Sequence, residues 1–213
     1  VDGLTGITFG EFTDGISDGG LNGETSKVVG LPAANFKLPT DGSVRKALLI
    51  CTCKLKLSGY PNSANATFLI AGDDNSTGYI GARFNASSAS AALAAIQVNV
   101  LGVAITDNAA AALITGDAPQ QIAALYESDG STFQKVSVYI DRVFSNSFSE
   151  AYSVESGSDD IRLFSSGVFN VDAGTNGGQK IYRYTVANLT DRLDLDVEDF
   201  LQAESNAVTP YIS

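Results

Sequence analysis

The sequence contains no histidine, no tryptophan and no methionine among its 213 residues. Without histidine it cannot build a Ser-His-Asp or Cys-His nucleophilic site, or a zinc site with histidine ligands. The glycine-rich stretches lack the lysine and the strand-to-helix context of a phosphate-binding loop. Tryptophan platforms for sugar rings are missing too, although eight tyrosines are present. No catalytic constellation remains, so the sequence predicts a protein that is not an enzyme.

Cysteine is scarce as well, because Cys51 and Cys53 are the only two and a single residue separates them. On a strand they would face the same way, at a spacing too long for good disulfide geometry. Two unbridged thiols favour synthesis in a reducing compartment. We interpret both as small hydrophobic residues of the core.

Positively charged residues are few. The sequence has 13 lysines and arginines and 24 aspartates and glutamates, which gives a formal net charge of −11. A chain this acidic repels phosphates, so we exclude nucleic acid as a partner. The sequence shows no apolar run of membrane length, and no signal-peptide pattern begins at Val1. We therefore expect no membrane insertion, and Val1 is expected to follow removal of an initiator Met, with proteolytic maturation as the alternative.

What the chain does have is strict alternation of apolar and polar residues, clearest in residues 120–144. Two alternating runs flank Asp129-Gly130, a dipeptide that tolerates the positive backbone dihedrals of a tight hairpin. The apolar positions are Ile122, Ala124 and Tyr126 in the first run and Val136, Val138 and Ile140 in the second. With 44% hydrophobic and 17% charged residues, the composition favours one globular all-β domain.

The same reasoning predicts further strands at residues 6–12, 27–29, 46–57, 67–71, 79–85, 91–100, 103–106, 160–164 and 180–186. The first half of 46–57 is apolar at successive positions, so it is expected to be buried on both faces. Residues 109–114 fit an edge strand or a loop, and residues 145–158 are predicted to be a long polar loop. Residues 194–204 predict a short helix with acidic residues near its start.

The N-terminal 30 residues are interpreted as an arm or as peripheral strands, and residues 31–213 as a β-sandwich domain. The first part is either an ordinary strand with a long loop or an arm that embraces a neighbouring subunit. Both alternatives stay open from the sequence.

Taken in order, these elements resemble the concanavalin A-like (laminin G-like) β-sandwich family. The first run that carries the resemblance is residues 122–126, the Asp129-Gly130 turn and residues 136–141. The family pattern continues with Gly after the Asp, whereas this sequence has Arg142, which is expected to alter the next turn but not the strand pair. The second run is residues 177–184, then Asn188-Leu-Thr190 and the acidic helix. The resemblance implies two antiparallel sheets of about six strands each, packed in jelly-roll order, with one short C-terminal helix.

Candidate binding residues cluster in the predicted turn at residues 73–78. Asp73, Asp74 and Asn75 supply the hard oxygen donors that calcium prefers, and the resemblance implies calcium at a sandwich rim. The same three residues, with Tyr79 and the loop at 170–178, are candidate contacts to a carbohydrate. The alternative is an ordinary turn, because Asp and Asn also populate turns for backbone reasons. Calcium aside, no cofactor is predicted.

Glycoside hydrolysis is the enzymatic alternative that this fold makes worth testing. It needs two carboxylates about 5–9 Å apart across the scissile bond. Glu150 and Glu155 bracket four residues of the predicted loop and are interpreted as solvated acids.

These observations favour binding or structure. Our first interpretation is a virion structural protein, a bacteriophage capsid decoration protein or a tail or fibre component, assembled in the host cytoplasm. Its partners would be other virion proteins, through a homo-oligomer or lattice contacts. The alternative is an extracellular lectin or adhesin domain that binds a cell-surface glycan.

Overall fold

The computed structural model describes the backbone of residues 7–11, 21–22, 29–32, 46–54, 65–72, 79–86, 94–100, 103–107, 118–151, 160–163, 180–192 and 194–208. Side chains are described at residues 46–54, 118–147, 149, 151, 181–192 and 194–208. The predictions for residues 109–114 and 170–178 lie outside the described residues.

Within the described residues the chain forms strands and one helix. In chain order they are β1 (Ile7–Glu11), β2 (Leu21–Asn22), β3 (Val29–Pro32), β4 (Lys46–Lys54), β5 (Asn65–Gly72), β6 (Tyr79–Ala86), β7 (Ala94–Val100), β8 (Val103–Asp107), β9 (Pro119–Ser128), β10 (Phe133–Ile140), β11 (Val143–Ala151), β12 (Asp160–Leu163), β13 (Lys180–Asn188) and α1 (Val197–Val208). The predicted strands are all present where the structure describes them, most of them shifted at their ends by one to three residues.

The strands form two antiparallel sheets. The first has the order β1-β13-β4-β9-β10-β11, with β2 also paired to β13, and the second has the order β3-β12-β5-β6-β7-β8. The sheets stack, since β5 lies against β4 and β13 and β8 lies against β11. This is the concanavalin A-like jelly-roll sandwich with one short C-terminal helix that the sequence predicts.

The hairpin of β9 and β10 confirms the strongest sequence pattern. Its register runs from Ile122 opposite Ile140 to Ser128 opposite Gln134. The predicted apolar residues of β10 are all buried, and Ile140 is only 1% exposed. On β9 the structure buries both faces, because Ala123 and Leu125 on the face opposite the predicted one are also buried.

The side chain of Asp129 closes the turn of this hairpin. Its Oδ1 accepts hydrogen bonds from the backbone N–H groups of Ser131 (2.8 Å), Thr132 (2.7 Å) and Phe133 (3.0 Å), and the Thr132 hydroxyl donates to Oδ2. Gly130 has a φ of 78°, which glycine adopts without steric penalty. Donation by the Thr132 hydroxyl and by these N–H groups lowers the pKa of the Asp129 carboxyl well below its ordinary value.

The prediction of a long polar loop at 145–158 is wrong over its first half. Residues Val143–Ala151 form β11, which pairs with β10 from Ile140 opposite Val143 to Phe133 opposite Ala151. Serine and asparagine suggested a loop, but an edge strand with an exposed face tolerates polar residues because little of it is buried. Residues 152–158 lie outside the described residues.

The connection from β10 to β11 is a two-residue turn in which Asp141 and Arg142 have φ of 47° and 71°. Positive φ at both positions is typical of the type I′ hairpin turn. The Asp141 carboxylate accepts hydrogen bonds from the backbone N–H of Gln121 and from Gln120 Nε2, both at 2.8 Å. With Arg142 in place of glycine, β9 and β10 still pair in one continuous register, as expected, and Arg142 itself adopts the left-handed conformation that favours glycine.

Strand β4 is buried from Lys46 to Cys53, which confirms the expectation of burial on both faces. Leu48 and Ile50 belong to a cluster with Leu201 of helix α1, so α1 covers one face of the first sheet. The alternate residues of β4, such as Leu49 (3% exposed), lie on the face toward the second sheet. Each face of β4 thus packs against a different layer.

Helix α1 begins three residues later than predicted because Asp196 is its N-cap. The Asp196 Oδ1 accepts hydrogen bonds from the backbone N–H groups of Glu198 (2.8 Å) and Asp199 (3.3 Å). The buried residues of α1 are Phe200, Leu201, Glu204 and Val208. Polar contacts add to this packing, since Gln121 Nε2 donates to the Leu201 carbonyl at 3.1 Å.

A largely buried ion pair connects helix α1 to strand β13. Arg183 donates from Nε to Glu204 Oε2 at 2.8 Å and from Nη2 to Oε1 at 3.1 Å. The Thr185 hydroxyl donates to the same Oε2 at 2.6 Å. The side chains of Arg183 and Glu204 are 12% and 7% exposed, so this contact compensates part of the cost of removing both charges from water.

We predict that Glu204→Gln lowers the free energy of unfolding by about 3 kcal/mol, because it removes the carboxylate that is paired with the largely buried Arg183 guanidinium. Urea denaturation followed by circular dichroism measures the change. Glu198→Gln removes an exposed carboxylate from the same helix and is expected to cost less than about 1 kcal/mol. Equal losses of unfolding free energy in the two variants would contradict a stabilising role for the ion pair of Arg183 and Glu204.

At the β10–β11 turn, Arg142→Gly is expected to be about 1 kcal/mol more stable than Arg142→Ala. Both variants lose the hydrogen bond from Arg142 to Gln202, so they differ in the conformational cost of a positive φ. Equal denaturation midpoints for the glycine and alanine variants would argue against a left-handed residue at this position.

The lowered pKa of Asp129 makes a pH-dependent contribution to stability. The carboxylate stabilises the fold above the unfolded-state pKa of about 3.9, and the contribution is lost as the pH falls below that value. We expect Asp129→Asn to be less stable than the parent at pH 7 and to approach it between pH 4 and pH 2. Denaturation midpoints across this range measure the gap, and a pH-independent gap would exclude the ionised Asp129 as its source.

Candidate functional site

The predicted binding residues lie at the hairpin between β5 and β6. Gly72 and Tyr79 are paired across the two strands, so residues 73–78 connect them. Asp73, Asp74 and Asn75 belong to this connection and lie outside the described residues, and their roles in calcium or sugar binding stay predictions. Tyr79 begins β6, and its position in the register assigns it to one face of the second sheet.

Residues of the second sheet can be placed on its two faces from the backbone pairing. Residues directly opposite in an antiparallel pair share a face, and successive residues of a strand alternate between faces. On β6, for example, Ile80, Ala82 and Phe84 share one face, while Gly81 and Arg83 share the other. The register of β5 and β6 shifts between Thr67 and Leu69, and outside this irregularity the pairings assign every described residue of the sheet to one face.

One face is apolar along its whole width. Its members are Val29, Leu31, Ile161, Leu163, Ala66, Leu69, Ala71, Ile80, Ala82, Phe84, Ala86, Ala94, Ile96, Val98, Val100, Val103 and Ile105, with Asp107 at the end of β8. A sandwich buries the apolar faces of its two sheets against each other. We therefore place this face toward the first sheet.

The opposite face, which we name the polar face, carries most of the hydrogen-bonding residues of the sheet. Its members are Gly30, Pro32, Asn65, Thr67, Ile70, Gly72, Tyr79, Gly81, Arg83, Asn85, Ala95, Gln97, Asn99, Ala104, Thr106, Asp160 and Arg162. It lies away from the first sheet. Tyr79, predicted from the sequence as a ligand contact, belongs to it.

Two neighbouring rows cross the middle of the polar face. In one row Thr67, Arg83, Gln97 and Thr106 follow one another on four successive strands. Hydroxyl, amide and guanidinium groups together supply both donors and acceptors of hydrogen bonds. Such a row suits a ligand that carries many hydroxyl groups.

The next row contains Arg162, Ile70, Gly81, Asn99 and Ala104. Gly81 lies in the interior of β6, where a residue without a side chain often marks the close approach of a ligand or another backbone. Asn99 lies beside this glycine on β7, and Tyr79 and Arg83 lie two residues away from it along β6, so the centre of the polar face is the candidate site.

The charge on the polar face differs from that of the whole chain. The chain has a formal net charge of −11, whereas the charged residues of this face are Arg83, Arg162 and Asp160. Two arginines against one aspartate give this face a positive balance among the described residues.

Sequence reasoning identified Tyr79 but did not assign Arg83, Gln97, Asn99 or Arg162 to a site. The signal was present, since Ile96, Val98 and Val100 alternate with Gln97 and Asn99. Alternation shows that a strand has a polar face, but only the register shows which polar residues of different strands adjoin. That pairing depends on long-range contacts that one strand does not contain.

The cysteine pair of β4 does not form a second site. Cys51 and Cys53 are free thiols, as the sequence predicts, and both are buried. A hydrogen bond with Cys51 and burial raise the pKa of the Cys53 thiol, so it stays protonated. A buried neutral thiol is a poor nucleophile and a poor metal ligand.

Aromatic residues at the edge of the first sheet are a weaker candidate. Tyr139 and Phe144 are paired, with ring centroids 5.8 Å apart in an edge-to-face arrangement, and Phe144 is 50% exposed. Burial raises the pKa of Tyr139, and the carboxylates of Glu127, Glu198 and Asp196 raise it further. The other exposed aromatic, Phe133, lies at the far end of β10, so the two rings do not form one contiguous patch.

The structure describes only part of the remaining predicted acid pair. Glu150 lies in β11 opposite Gln134, not in a loop, and Glu155 lies outside the described residues. Among the residues the structure describes, no group of three or more His, Cys, Asp and Glu is arranged to hold a metal ion. No described helix has the length and hydropathy to cross a membrane.

Comparison with known proteins gives likenesses of structure only. No family model matches the sequence, and no curated protein matches it. Among solved structures, the chain is similar to the CBM40 of the Ruminococcus gnavus IT-sialidase bound to α2,3-sialyllactose, with a TM-score of 0.58 at 11% identity. That likeness covers 92% of this chain and 97% of the CBM40.

Two other solved structures are similar at comparable levels. The binding domain of botulinum neurotoxin serotype D/C has a TM-score of 0.56 at 11% identity, over 95% of this chain and 47% of that one. A carbohydrate esterase from the Shiga toxin-encoding bacteriophage phi24B has a TM-score of 0.53 at 12% identity, over 85% and 90%. At such low identity these likenesses show the fold, a β-sandwich shared by carbohydrate-binding modules, a toxin binding domain and an esterase.

Proposed function

We propose that this protein is a carbohydrate-binding β-sandwich domain whose site is the polar face of the second sheet. The observation that carries the proposal is the segregation of the sheet into an apolar face and a polar face centred on Gly81, Gln97 and Asn99. Sugars present many hydroxyl groups, each both donor and acceptor, and amide side chains match them in both roles.

The physical character of the face supports a sugar over an apolar ligand or a nucleic acid. Apolar ligands bind in sites lined mainly by hydrophobic residues, whereas the central rows here are mostly polar. Nucleic acid is disfavoured by the acidic balance of the chain. Tyr79 adds an aromatic ring with a hydroxyl group to the same face, a suitable partner for the mixed surface of a sugar.

The comparisons support this proposal through the fold. One similar structure is a CBM40 solved with sialyllactose, and another is a carbohydrate esterase. We propose that the present chain acts by binding, as the CBM40 does in its complex with sialyllactose. The virion structural role stays a prediction that none of these observations favours over glycan binding, and the two roles are compatible in a fibre that recognises a cell surface.

A glycan array probed with the full chain tests the proposal, and calorimetry on the positive glycans tests the site. We expect the double variant Gln97→Ala with Asn99→Ala to lower affinity by about tenfold or more, because two hydrogen-bonding amides are lost. The matched control is Ser147→Ala with Ser149→Ala, two exposed polar residues of β11 in the first sheet.

The control variant is expected to keep the parent affinity. Thermal denaturation of both variants shows that each is folded. A chain that binds no glycan on the array, or a control that loses as much affinity as the amide variant, would refute the proposal.

A further inference from the structure

We infer that strand β11 is the interface between two copies of this chain, which pair edge to edge so that their first sheets join into one continuous sheet. The inference goes beyond the proposed function and is independent of whether the polar face binds a sugar. It is carried by the position of β11 in the sheet, by the residues of its edge and by the exposed apolar side chains beside it.

Strand β11 is the last strand of the first sheet. It pairs with β10 on one side, and no described strand pairs with its other side. A sheet edge presents a row of backbone N–H and C=O groups, which pair readily with a strand from another chain. Edge strands that are protected from such pairing are usually very short, whereas β11 spans nine residues, Val143–Ala151.

The residues of β11 do little to block pairing. Lysine and proline are common protections of an exposed edge, and β11 contains neither, with Glu150 as its single charged residue. A register shift opposite Val138 and Tyr139 is one protection that β11 does have. Residues 146–151, beyond that shift, pair with β10 in continuous register, so this part of the strand is expected to accept a partner.

A second copy of the chain suits this edge because an antiparallel strand pair is compatible with a two-fold axis. Two identical edges related by an axis near the middle of residues 146–151 run antiparallel and present the same surface to each other. Glu150 lies near one end of β11, so it falls opposite residues on the other side of the axis and not opposite the second Glu150. The pairing therefore avoids facing like charges, which destabilise neighbouring strands.

The exposed aromatic side chains of the first sheet lie at the two ends of this edge. Phe144 (50% exposed) is opposite Tyr139, and Phe133 (42% exposed) is opposite Ala151 at the far end of β11. All four residues are on the face of the sheet that carries α1, since Phe133 and Tyr139 alternate in step along β10. A two-fold axis brings Phe144 of each copy beside the Ala151 end of the other. Pairing then removes apolar surface from water at both ends of the interface.

The acidity of the chain opposes this association. Each copy has a formal net charge of −11, and the repulsion between two such copies is screened by salt. The dimer is therefore expected to strengthen as the salt concentration rises, which is the reverse of an interface held by ion pairs.

Pairing at β11 leaves the polar face of the second sheet uncovered. An axis perpendicular to the joined sheet keeps both second sheets on the same side of it, so the two polar faces point in one direction. This consequence alone rests on the proposed function, because two sugar sites that face one way can bind the same glycan-bearing surface together.

Sedimentation velocity of the full chain, over about a hundredfold range of concentration at low and at high salt, measures the association. We expect a reversible equilibrium between monomer and dimer that shifts toward the dimer at high salt. Hydrogen exchange followed by mass spectrometry locates the interface. Amides of β11 are expected to gain protection at concentrations that populate the dimer, while amides of β1, at the other edge of the sheet, keep the same protection.

The double variant Ser147→Lys with Ser149→Lys tests the edge directly. Both serines are exposed, and the two-fold axis brings the four introduced lysines together, so the dimer is expected to weaken by about tenfold or more. The matched control is Ala203→Lys with Ala207→Lys, at two exposed positions of α1 that receive the same change in net charge. Because the control lowers the overall repulsion between copies, it is expected to dimerise at least as well as the parent. Thermal denaturation confirms that each variant is folded.

A chain that stays monomeric at every concentration and salt would overturn the inference, and so would a dimer that the β11 lysines do not weaken relative to the control. A monomer whose β11 amides are already protected at the lowest concentration would show that another segment of the same chain occupies the edge, which also overturns it. None of these outcomes depends on sugar binding, so failure of the dimer leaves the proposed function in place.

Discussion

Burial of β4 on both faces, in the middle of the first sheet, is the constraint on which the rest of the structure depends. A strand exposes two faces, and each apolar face needs a covering layer to leave water. In β4, residues from Lys46 to Cys53 are buried because α1 covers one face and the second sheet covers the other. The ion pair of Arg183 and Glu204 then holds α1 in register on the sheet.

The two sheets differ in what covers their outer faces. In the first sheet, helix α1 packs against β4, β9 and β13, so this part of the outer face serves stability. The second sheet has no comparable helix among the described residues, and its polar face is assembled from alternate positions of short strands. Binding residues on neighbouring strands of one sheet keep fixed spacings, because the hydrogen-bonded ladder sets both strand distance and register.

A positive balance on one face of an acidic protein has a further physical consequence. Negative charge spread over the surface favours solubility and repels nucleic acids and other anions that approach at random. Two arginines among amides and hydroxyl groups act only at short range, where hydrogen bonds require a ligand of matching shape.

The sequence predicted the elements of this fold more completely than the site. The β9–β10 hairpin follows from alternation and from Asp129-Gly130, and the helix follows from its acidic start, although the cap at Asp196 sets its beginning. The strand β11 was missed because Ser145, Asn146 and Ser147 are typical of loops, and an edge strand buries too few residues to show alternation.

The sequence alone determined that apolar and polar residues alternate along the chain. It also excluded catalysis that depends on histidine and predicted that the two thiols stay unpaired. Those properties depend on composition and on the two-residue period of a strand. Only the tertiary structure decided that Arg83, Gln97, Asn99 and Arg162 share one face, because residues far apart in the chain become neighbours through strand register. Register is set by the packing of the whole sandwich, since a slip of one residue would bring the polar face against the first sheet and leave the apolar face outside.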